Sequence, residues 1–407
     1  MADAVTHWND VLLDVVRQVG GPPGPIARGA AMMHGAIYDA VNSIAPSTHR
    51  PYLVSVPSAP GASVDAAVAH AAHATLVAAF PAAGGFLAPL APPPDASGGE
   101  IVGRVAAQTM IEARALDGRE DDTPYVHSTL PGCWRPTGSG AAATPNWPNV
   151  KPFCMPSGNS FRPPQPGGYR LKTDLLKSSE YAAQFNEVKK LGSYHSTTRT
   201  PEQTEIAFFW ANDLDRTYKP PGQLFDITKI VSDQKGLDVV ANARLFALVA
   251  LAMADAAVVA WDAKYDTNID LWRPETAVKE ATTDGNPATS GDPSWKPLSR
   301  NPATGAHFSP PFPAYTSGHA TFGAAHAGIM RRFFGTDNVT FTATTEDPNL
   351  SPGVTRTYNS FTHAAIENAR SRVYLGVHFQ WDGDHGFQSG NALAEYVYDN
   401  VLTPIGS

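Results

Sequence analysis

Apolar residues recur at intervals of three and four along most of the chain, and this spacing predicts α-helices. Stretches rich in Pro and Gly separate the periodic segments and mark the connecting loops. The pattern predicts ten helices, which span residues 8–19, 25–44, 63–80, 100–116, 174–191, 200–210, 237–264, 317–334, 361–379 and 388–401.

Strand signals are few by comparison, and the main one is a short run at residues 339–344. We therefore predict an all-α protein of packed helical bundles, with long Pro/Gly-rich loops and little or no sheet. We expect an N-terminal helical half over residues 1–235 and a C-terminal helical half over residues 236–407, joined in one compact unit.

Residues 119–168 interrupt this pattern, because they are dense in Pro, Gly and aromatic residues and have little periodicity. A long irregular segment in a compact protein usually has a function. Our hypothesis is a lid or a wall of the substrate entrance.

The charge of the chain narrows the classes of partner. The net charge is −8 and 17% of the residues are charged, against roughly 25% in average domains. No basic run offers a footprint for a phosphate backbone, which argues against a nucleic-acid partner. The longest apolar run, residues 245–261, contains Asp255. A buried core helix in a soluble protein is therefore favoured over a membrane span.

The first residues lack the basic and apolar regions of a signal peptide, so none is expected in this sequence. A sequence from which a native signal peptide had been removed would begin in the same way. Exported and cytoplasmic locations are both compatible with the sequence, which does not indicate the oligomeric state.

The two cysteines, Cys133 and Cys154, both lie in the long irregular segment. Neither has the spacing of a zinc site. A disulfide across the loop and two free thiols are both compatible with this placement. His70 and His73 lie one turn apart on the third predicted helix, but without a neighbouring carboxylate or Cys we favour packing or surface roles over a metal pair.

Candidate chemistry concentrates at residues 369–386, which combine guanidinium, imidazole and carboxylate groups in a charge-poor chain. On one continuous helix Arg372 and His378 would lie about 240° apart around the axis, so they would meet only at a ligand between them. His378 and Asp382 would share a face, and Asp382 can then orient the imidazole. The structural alternative is a buried Arg paired with Asp382 or Asp384.

A second stretch, residues 311–321, leads from a Pro-rich loop into a predicted helix, with Thr316 or Ser317 as the N-cap. The first backbone N–H groups of a helix lack intrahelical partners and carry the positive end of its dipole, so Ser317, Gly318 and His319 form a natural oxyanion site. Gly318 allows close approach, and His319 supplies a proton donor or acceptor. The alternative is a plain capped helix with a surface His.

A third stretch, residues 261–275, ends the most apolar helix and contains Lys264 and Arg273, with Pro274 marking the turn. Each cation taken alone is typical of a helix cap or a solvated side chain. The three stretches together supply three cations, a hydroxyl, a helix N-terminus and two imidazoles. This set suits a tetrahedral oxyanion of high charge.

The combined pattern resembles the signature shared by vanadium-dependent haloperoxidases and type 2 phosphatidic acid phosphatases, over roughly the last third of the chain. It consists of Lys264, Arg273, Ser317, Gly318, His319, Ser371, Arg372, His378 and Asp382. There are two departures from the family. Thr316 stands where Pro is usual, and the eight residues 265–272 between Lys264 and Arg273 exceed the usual number.

The resemblance implies a helical-bundle fold and a vanadate cofactor, whose site phosphate can occupy in its absence. It implies that His378 is the axial ligand to vanadium, oriented by Asp382, and that His319 is the acid–base residue beside the cofactor. The vanadate oxygens would be bound by Lys264, Arg273, Ser317, Gly318 and Arg372.

The leading interpretation is therefore an enzyme that oxidises a halide with hydrogen peroxide to a hypohalous species. Bromide is the expected halide and chloride a further candidate, because Trp261 and Phe312 resemble the aromatic pair of chloroperoxidases. Ordinary core aromatics are the alternative for these two residues. Hydrogen peroxide and halide are the expected partners, with a small organic substrate as a further candidate.

Two other functions remain open at this point. A soluble acid phosphatase would use the same residues, with His378 as the nucleophile and His319 as the acid. A non-catalytic oxyanion-binding protein would not need the paired imidazoles of His319 and His378, which disfavours it.

Overall fold

The computed structural model describes residues 3–45 and 48–406. Residues 1 and 2, the start of the segment inspected for a signal peptide, lie outside this range. The described residues form fourteen α-helices and one two-stranded sheet, which confirms the predicted all-α class. The helices are α1 Ala4–Val19, α2 Pro23–Ile44, α3 Val64–Ala79, α4 Gly84–Leu87, α5 Gly99–Ala113, α6 Lys172–Lys177, α7 Ser179–Leu191, α8 Pro201–Phe209, α9 Lys219–Lys235, α10 Val239–Tyr265, α11 Pro274–Lys279, α12 Gly318–Phe334, α13 Phe361–Tyr374 and α14 Gln380–Asn400.

The sheet is a small antiparallel pair, β1 Phe341–Thr344 and β2 Thr355–Tyr358. Phe341 lies opposite Tyr358, and both side chains are buried. The strand predicted at residues 339–344 is therefore confirmed over four of its residues.

Helix α10 is the central element of the core. It is apolar and long enough to cross a membrane, but every residue from Leu245 to Lys264 is buried inside the protein. It packs against α2 of the N-terminal half and against α12 and α14 of the C-terminal half. The Asp255 carboxylate accepts the backbone N–H groups of residues 153, 154 and 155 at 2.6, 2.8 and 2.8 Å. Asp255, in the middle of this apolar helix, therefore anchors the long irregular segment.

Helices α12 and α14 pack closely because glycines line their contact. A Cβ atom at Gly386 would lie 2.8 Å from the Ser317 carbonyl oxygen, and one at Gly390 would overlap the Thr321 carbonyl. Side chains at these positions would push the helices apart. The two glycines therefore allow the N-termini of α12 and α14 to meet.

The predicted ends of the last two helices are wrong. Helix α13 ends at Tyr374 rather than at residue 379, because Gly376 adopts a φ of +80° and packs against the backbone of Gly192. Helix α14 begins at Gln380 rather than at residue 388. Arg372 and His378 therefore do not share one helix, and the angle expected between them does not apply.

Other boundaries also differ from the prediction. The helix predicted over residues 174–191 is split into α6 and α7, since the Ser178 hydroxyl caps the second helix by accepting the Tyr181 N–H. Helix α9 was not predicted, and Pro220 and Pro221 occupy its first turn, where no N–H donor is needed. The predicted N-cap at Ser317 is confirmed.

The remaining sequence candidates have ordinary surroundings. Cys133 and Cys154 are both free thiols, so they do not form the disulfide that the sequence left open. His70 Nε2 lies 3.2 Å from the Pro93 carbonyl oxygen, and His73 Nε2 lies 3.1 Å from that of Leu87. Each of these two imidazoles thus has a backbone partner.

Candidate active site

The residues of the three sequence stretches converge at the ends of five helices. Lys264 lies in the last turn of α10, and Arg273 directly precedes α11. Ser317, Gly318 and His319 form the start of α12, Arg372 lies in the last turn of α13, and Asp382 lies in the first turn of α14. The Ser317 N–H donates to the Asp382 carbonyl oxygen at 2.9 Å, which ties the starts of α12 and α14 together.

His378 lies in the short connection between α13 and α14 and is 2% exposed. Its Nδ1 lies 3.0 Å from Asp382 Oδ2, and its Nε2 lies 3.0 Å from Arg273 Nη1. Because a guanidinium can only donate, Nε2 must accept and Nδ1 must carry the proton. The predicted orienting contact from Asp382 is present, although it does not arise from a shared helix face.

Burial lowers the pKa of His378 well below its usual value, and the charges of Arg273 and Lys264 lower it further. The imidazole is therefore neutral at physiological pH, with a lone pair on Nε2. A neutral imidazole whose other nitrogen donates to a carboxylate has the arrangement of a metal-binding histidine.

Two buried guanidinium groups beside His378 have hydrogen-bond donors without acceptors. Arg273 donates from Nε to the Phe312 carbonyl oxygen at 2.7 Å and from Nη1 to that of Val377 at 2.8 Å. Arg372 donates from Nη2 to Asp213 Oδ2 at 2.8 Å. Within the described residues, Nη2 of Arg273 and both Nε and Nη1 of Arg372 have no acceptor. Such open donors are costly in a protein interior and indicate a site for an acceptor.

The N-terminus of α12 adds backbone donors to this set. The Ser317 hydroxyl oxygen accepts the Ala320 N–H at 3.3 Å, and its own proton stays available for donation. The N–H groups of Gly318 and His319 have no acceptor in the part of the chain that the structure describes. They carry the positive end of the helix dipole.

Lys264 differs from the two arginines because its donors are already engaged. Its ammonium group donates to the backbone carbonyls of Pro313 at 2.7 Å and Ala314 at 3.2 Å, and also to that of Thr316. An ammonium has three N–H groups, so none is left for a ligand. Burial lowers the pKa of Lys264 well below its usual value and Arg273 lowers it further. A nearby anion would favour its charged form.

His319 faces the same cavity. Its Nε2 lies 3.3 Å from the Ala211 carbonyl oxygen, so Nε2 carries the proton and Nδ1 is a free acceptor. Burial lowers the pKa of His319 to about 3, and the charge of Arg372 contributes to the shift. The neutral ring can therefore accept a proton at Nδ1.

A cavity of about 280 Å³ lies beside these groups, and its lining includes Gly318, His319, Arg372 and His378. Trp261 and Phe312 line the same cavity, with ring centroids 4.8 Å apart. The Trp261 Nε1 proton is donated to the Ala143 carbonyl oxygen at 3.2 Å, which leaves carbon atoms of the indole toward the cavity. Ala143 itself lines the cavity, so the long segment 119–168 forms part of its wall, as hypothesised.

The charges around the cavity are unbalanced in favour of an anion. Four basic side chains, Lys219, Lys264, Arg273 and Arg372, lie in or beside the cavity with three carboxylates, Asp213, Asp215 and Asp382. Burial lowers the pKa of Arg273 to about 9 and raises that of Asp382. Both shifts express the cost of charge in a dry interior. A bound oxyanion would accept the open N–H groups and balance the excess positive charge.

Comparisons with known proteins agree with this geometry. Residues 244–406 match the family model described as the VCPO second helical-bundle domain. Vanadium chloroperoxidase from Curvularia inaequalis is 30% identical over an alignment of 499 positions, which covers 93% of this chain and 78% of that protein. The chain belongs to the vanadium-dependent haloperoxidase family.

Solved structures of bacterial haloperoxidases share the fold of this family member. The first bacterial vanadium-dependent iodoperoxidase aligns with a TM-score of 0.82 and 24% identity, over 99% of this chain and 98% of the other. A holo-type bacterial vanadium-dependent chloroperoxidase aligns with a TM-score of 0.74 and 19% identity, over 95% and 94%. The bundle architecture is therefore common to haloperoxidases that differ widely in sequence.

Sequence reasoning missed Asp213, the partner of Arg372 in this haloperoxidase-family site. Burial by itself would raise the pKa of Asp213, but Arg372 and His319 outweigh that effect and lower it, so the carboxylate is ionised. The two partners are 159 positions apart. Three acidic or amide residues at 212–215 follow α8 and were the only local signal. Lys219 and residues 21–23, which also line the cavity, were missed as well.

Proposed function

We propose that this protein is a vanadium-dependent haloperoxidase, which holds vanadate in the cavity and oxidises a halide with hydrogen peroxide to a hypohalous species. The observation that carries the proposal is the set of open donors on Arg273 and Arg372 beside the neutral Nε2 of His378. Family membership supports the same chemistry.

The residues present fit a tetrahedral oxyanion. Arg273 Nη2, two nitrogens of Arg372, the Ser317 hydroxyl and the N–H groups of Gly318 and His319 would bind its oxygens. His378 Nε2 would bind the metal after giving up its hydrogen bond from Arg273. Bound vanadate supplies a Lewis-acidic centre that makes peroxide a stronger oxidant of halide.

The protein contributes proton transfer and charge balance to this reaction. Burial lowers the pKa of His319 and keeps the ring neutral. A bound oxyanion would raise this pKa, so that Nδ1 can accept a proton from peroxide and return it. Asp382 keeps the proton of His378 on Nδ1, so that Nε2 stays basic. Lys264 adds positive charge from behind the cavity wall rather than a direct donor.

The cavity wall offers a halide few hydrogen-bond partners. Trp261 and Phe312 offer carbon atoms, and the Phe312 ring centroid lies 4.8 Å from Arg273 Cζ and 5.0 Å from Lys264 Nζ. An apolar wall removes water from chloride and does not quench the oxidant by hydrogen bonding. We propose oxidation of bromide and, at mildly acid pH, of chloride.

Reconstitution with vanadate tests the proposal. We expect the protein to retain vanadium after gel filtration and then to brominate a phenolic dye with peroxide, while His195→Ala, an exposed histidine outside the cavity, behaves like the wild type. Phosphate should compete with vanadate for the site. The proposal fails if vanadate neither binds nor confers halogenation while activated phosphate esters are hydrolysed, because the same residues would then serve a phosphatase.

A further inference from the structure

Outside the cavity, one thiol and one amine lie in direct contact. Lys172 Nζ is 3.0 Å from Cys133 Sγ and also forms an ion pair with Asp270. The Tyr125 hydroxyl donates to the other oxygen of Asp270 at 3.0 Å. The sulfur, the amine and a proton-accepting carboxylate therefore form one cluster.

The fold is built to bring the Lys172 side chain to this sulfur. Gly132 has a φ of +81°, and a Cβ atom there would lie 2.7 Å from Lys172 Cδ and 2.8 Å from Cγ. Any other residue at this position would obstruct the lysine stem. Cys133 is 9% exposed, and the side chains of Lys172 and Asp270 are 13% and 15% exposed. This partial exposure leaves the cluster open to a small oxidant such as peroxide.

We propose that peroxide, the oxidant of the proposed function, converts Cys133 and Lys172 into a covalent sulfur–nitrogen crosslink. Cys133 Sγ first attacks one peroxide oxygen. A sulfur–oxygen bond forms, the oxygen–oxygen bond breaks and water leaves, so that sulfur is oxidised by two electrons and peroxide is reduced.

The amine completes the bond without a second oxidant. The Asp270 carboxylate, which forms the ion pair with Lys172, first takes one proton from the ammonium and frees the lone pair of Nζ. This lone pair attacks the sulfenic sulfur, the sulfur–oxygen bond breaks, and hydroxide leaves as water with a second proton from the nitrogen. One thiol, one amine and one peroxide thus give one sulfenamide and two waters.

The crosslink would act on the segment that carries Arg273. Residues 132–134 are bonded to residues 270–272, since the Trp134 N–H donates to the Asp270 carbonyl at 2.7 Å and the Trp272 N–H to that of Gly132 at 2.9 Å. Arg273 follows directly. A covalent bond from Cys133 to α6 would hold residues 270–272, and with them Arg273, in place during exposure to peroxide.

The second cysteine provides an internal control. The Cys154 N–H donates to the Asp255 carboxylate at 2.8 Å, and its thiol is accompanied by an acid rather than an amine. Burial raises the pKa of Cys154 well above its usual value, and Asp255 raises it further. A thiol that resists ionisation reacts slowly with peroxide.

The test uses the full-length protein without vanadate or halide, so that its result does not depend on halide oxidation. After treatment with a small excess of hydrogen peroxide, peptide mass spectrometry should find Cys133 linked to Lys172 with a loss of about 2 Da. Dithiothreitol should restore both residues. The crosslinked protein should also unfold at a higher temperature than the reduced protein.

Two variants sharpen the outcome. Lys172→Arg keeps the positive charge beside Asp270 but should yield oxidised Cys133 without a crosslink, and Cys133→Ser should yield neither. The proposal is overturned if wild-type Cys133 stays reduced, if it proceeds to sulfinic acid without a crosslink, or if Cys154 is oxidised first. The peptide masses of the peroxide-treated wild type alone distinguish these outcomes, even if a variant fails to fold.

Discussion

Two pairs of buried arginines in this protein differ in how completely they are bonded. Arg28 and Arg114 both donate to Asp117 Oδ2, from Nε at 2.7 and 2.9 Å. Further nitrogens reach backbone carbonyls, from Arg28 Nη2 to Arg114 at 2.9 Å and from Arg114 Nη1 to Pro152 at 3.2 Å. Within the described chain, neither side chain has a buried nitrogen without an acceptor.

Arg273 and Arg372 are buried at least as deeply, at 0% and 1% exposure, yet three of their nitrogens are open. The first pair joins α2 to the long irregular segment, so its bonds are complete in the folded protein alone. The hydrogen bonds of the second pair are complete only when a ligand is bound. Burial of charge alone therefore does not distinguish a functional site from a structural one, whereas unpaired donors do.

The largest effect should come from a residue that does chemistry without holding the fold. His319→Ala should lower turnover of the vanadate-loaded enzyme by about 10²–10⁴-fold, because a general acid–base group is lost. Vanadate affinity and the unfolding temperature should change little. Steady-state halogenation kinetics would measure the effect against His195→Ala, and normal turnover in His319→Ala would remove its proposed role.

Substitution in the two arginine pairs should lower the free energy of unfolding by different amounts. Arg114→Met leaves the Asp117 carboxylate with one fewer partner in the interior and should cost about 3–5 kcal/mol of unfolding free energy. Arg273→Met loses two hydrogen bonds to carbonyls but also removes an open donor and a repelling cation, so about 1–2 kcal/mol is expected without vanadate.

Urea unfolding of the two variants with and without vanadate measures this difference. Vanadate should stabilise Arg114→Met as it stabilises the wild type, and it should hardly stabilise Arg273→Met. Equal stabilisation of both variants by vanadate would contradict the assignment of the open pair as the ligand site.

A smaller effect is expected at the apolar wall. Phe312→His places a polar ring against the cavity and should lower the ratio of chloride to bromide turnover, while vanadate binding stays largely intact. Competition between the two halides at mildly acid pH measures the ratio. If the wild type oxidises bromide but no chloride from acid to neutral pH, the inference from Trp261 and Phe312 is wrong.

The sequence predicted most helices and the convergence of the three stretches, because apolar periodicity and helix caps are local features. It failed where a glycine's role depends on distant atoms. Gly386 lies before the helix predicted at residues 388–401, but it is inside α14, where α12 packs against it. Gly376 ends α13 through its approach to Gly192, which is equally invisible in a local pattern.

Prediction of the candidate site from the sequence was limited in the same way. Arg372 and His378 could be selected as candidates from residue type and spacing, but their bonding depends on Asp213 and Arg273, which are 159 and 105 positions away. Lys264 was predicted to bind the oxyanion directly, whereas its three donors reach carbonyls of residues 313–316. A sequence pattern does not show which side-chain donors are already bonded to backbone carbonyls.

The central claim is that the open donors and the neutral Nε2 of His378 together hold vanadate. Equilibrium dialysis of wild type and His378→Ala against vanadate, with vanadium measured in both compartments, tests it directly. We predict that the wild type binds vanadate stoichiometrically and that His378→Ala binds it more than about 100-fold more weakly, because a direct ligand should matter more than the 10–100-fold typical of a ligand's supporting partners. Equal affinity of the two proteins would show that His378 is not the ligand and would contradict the account.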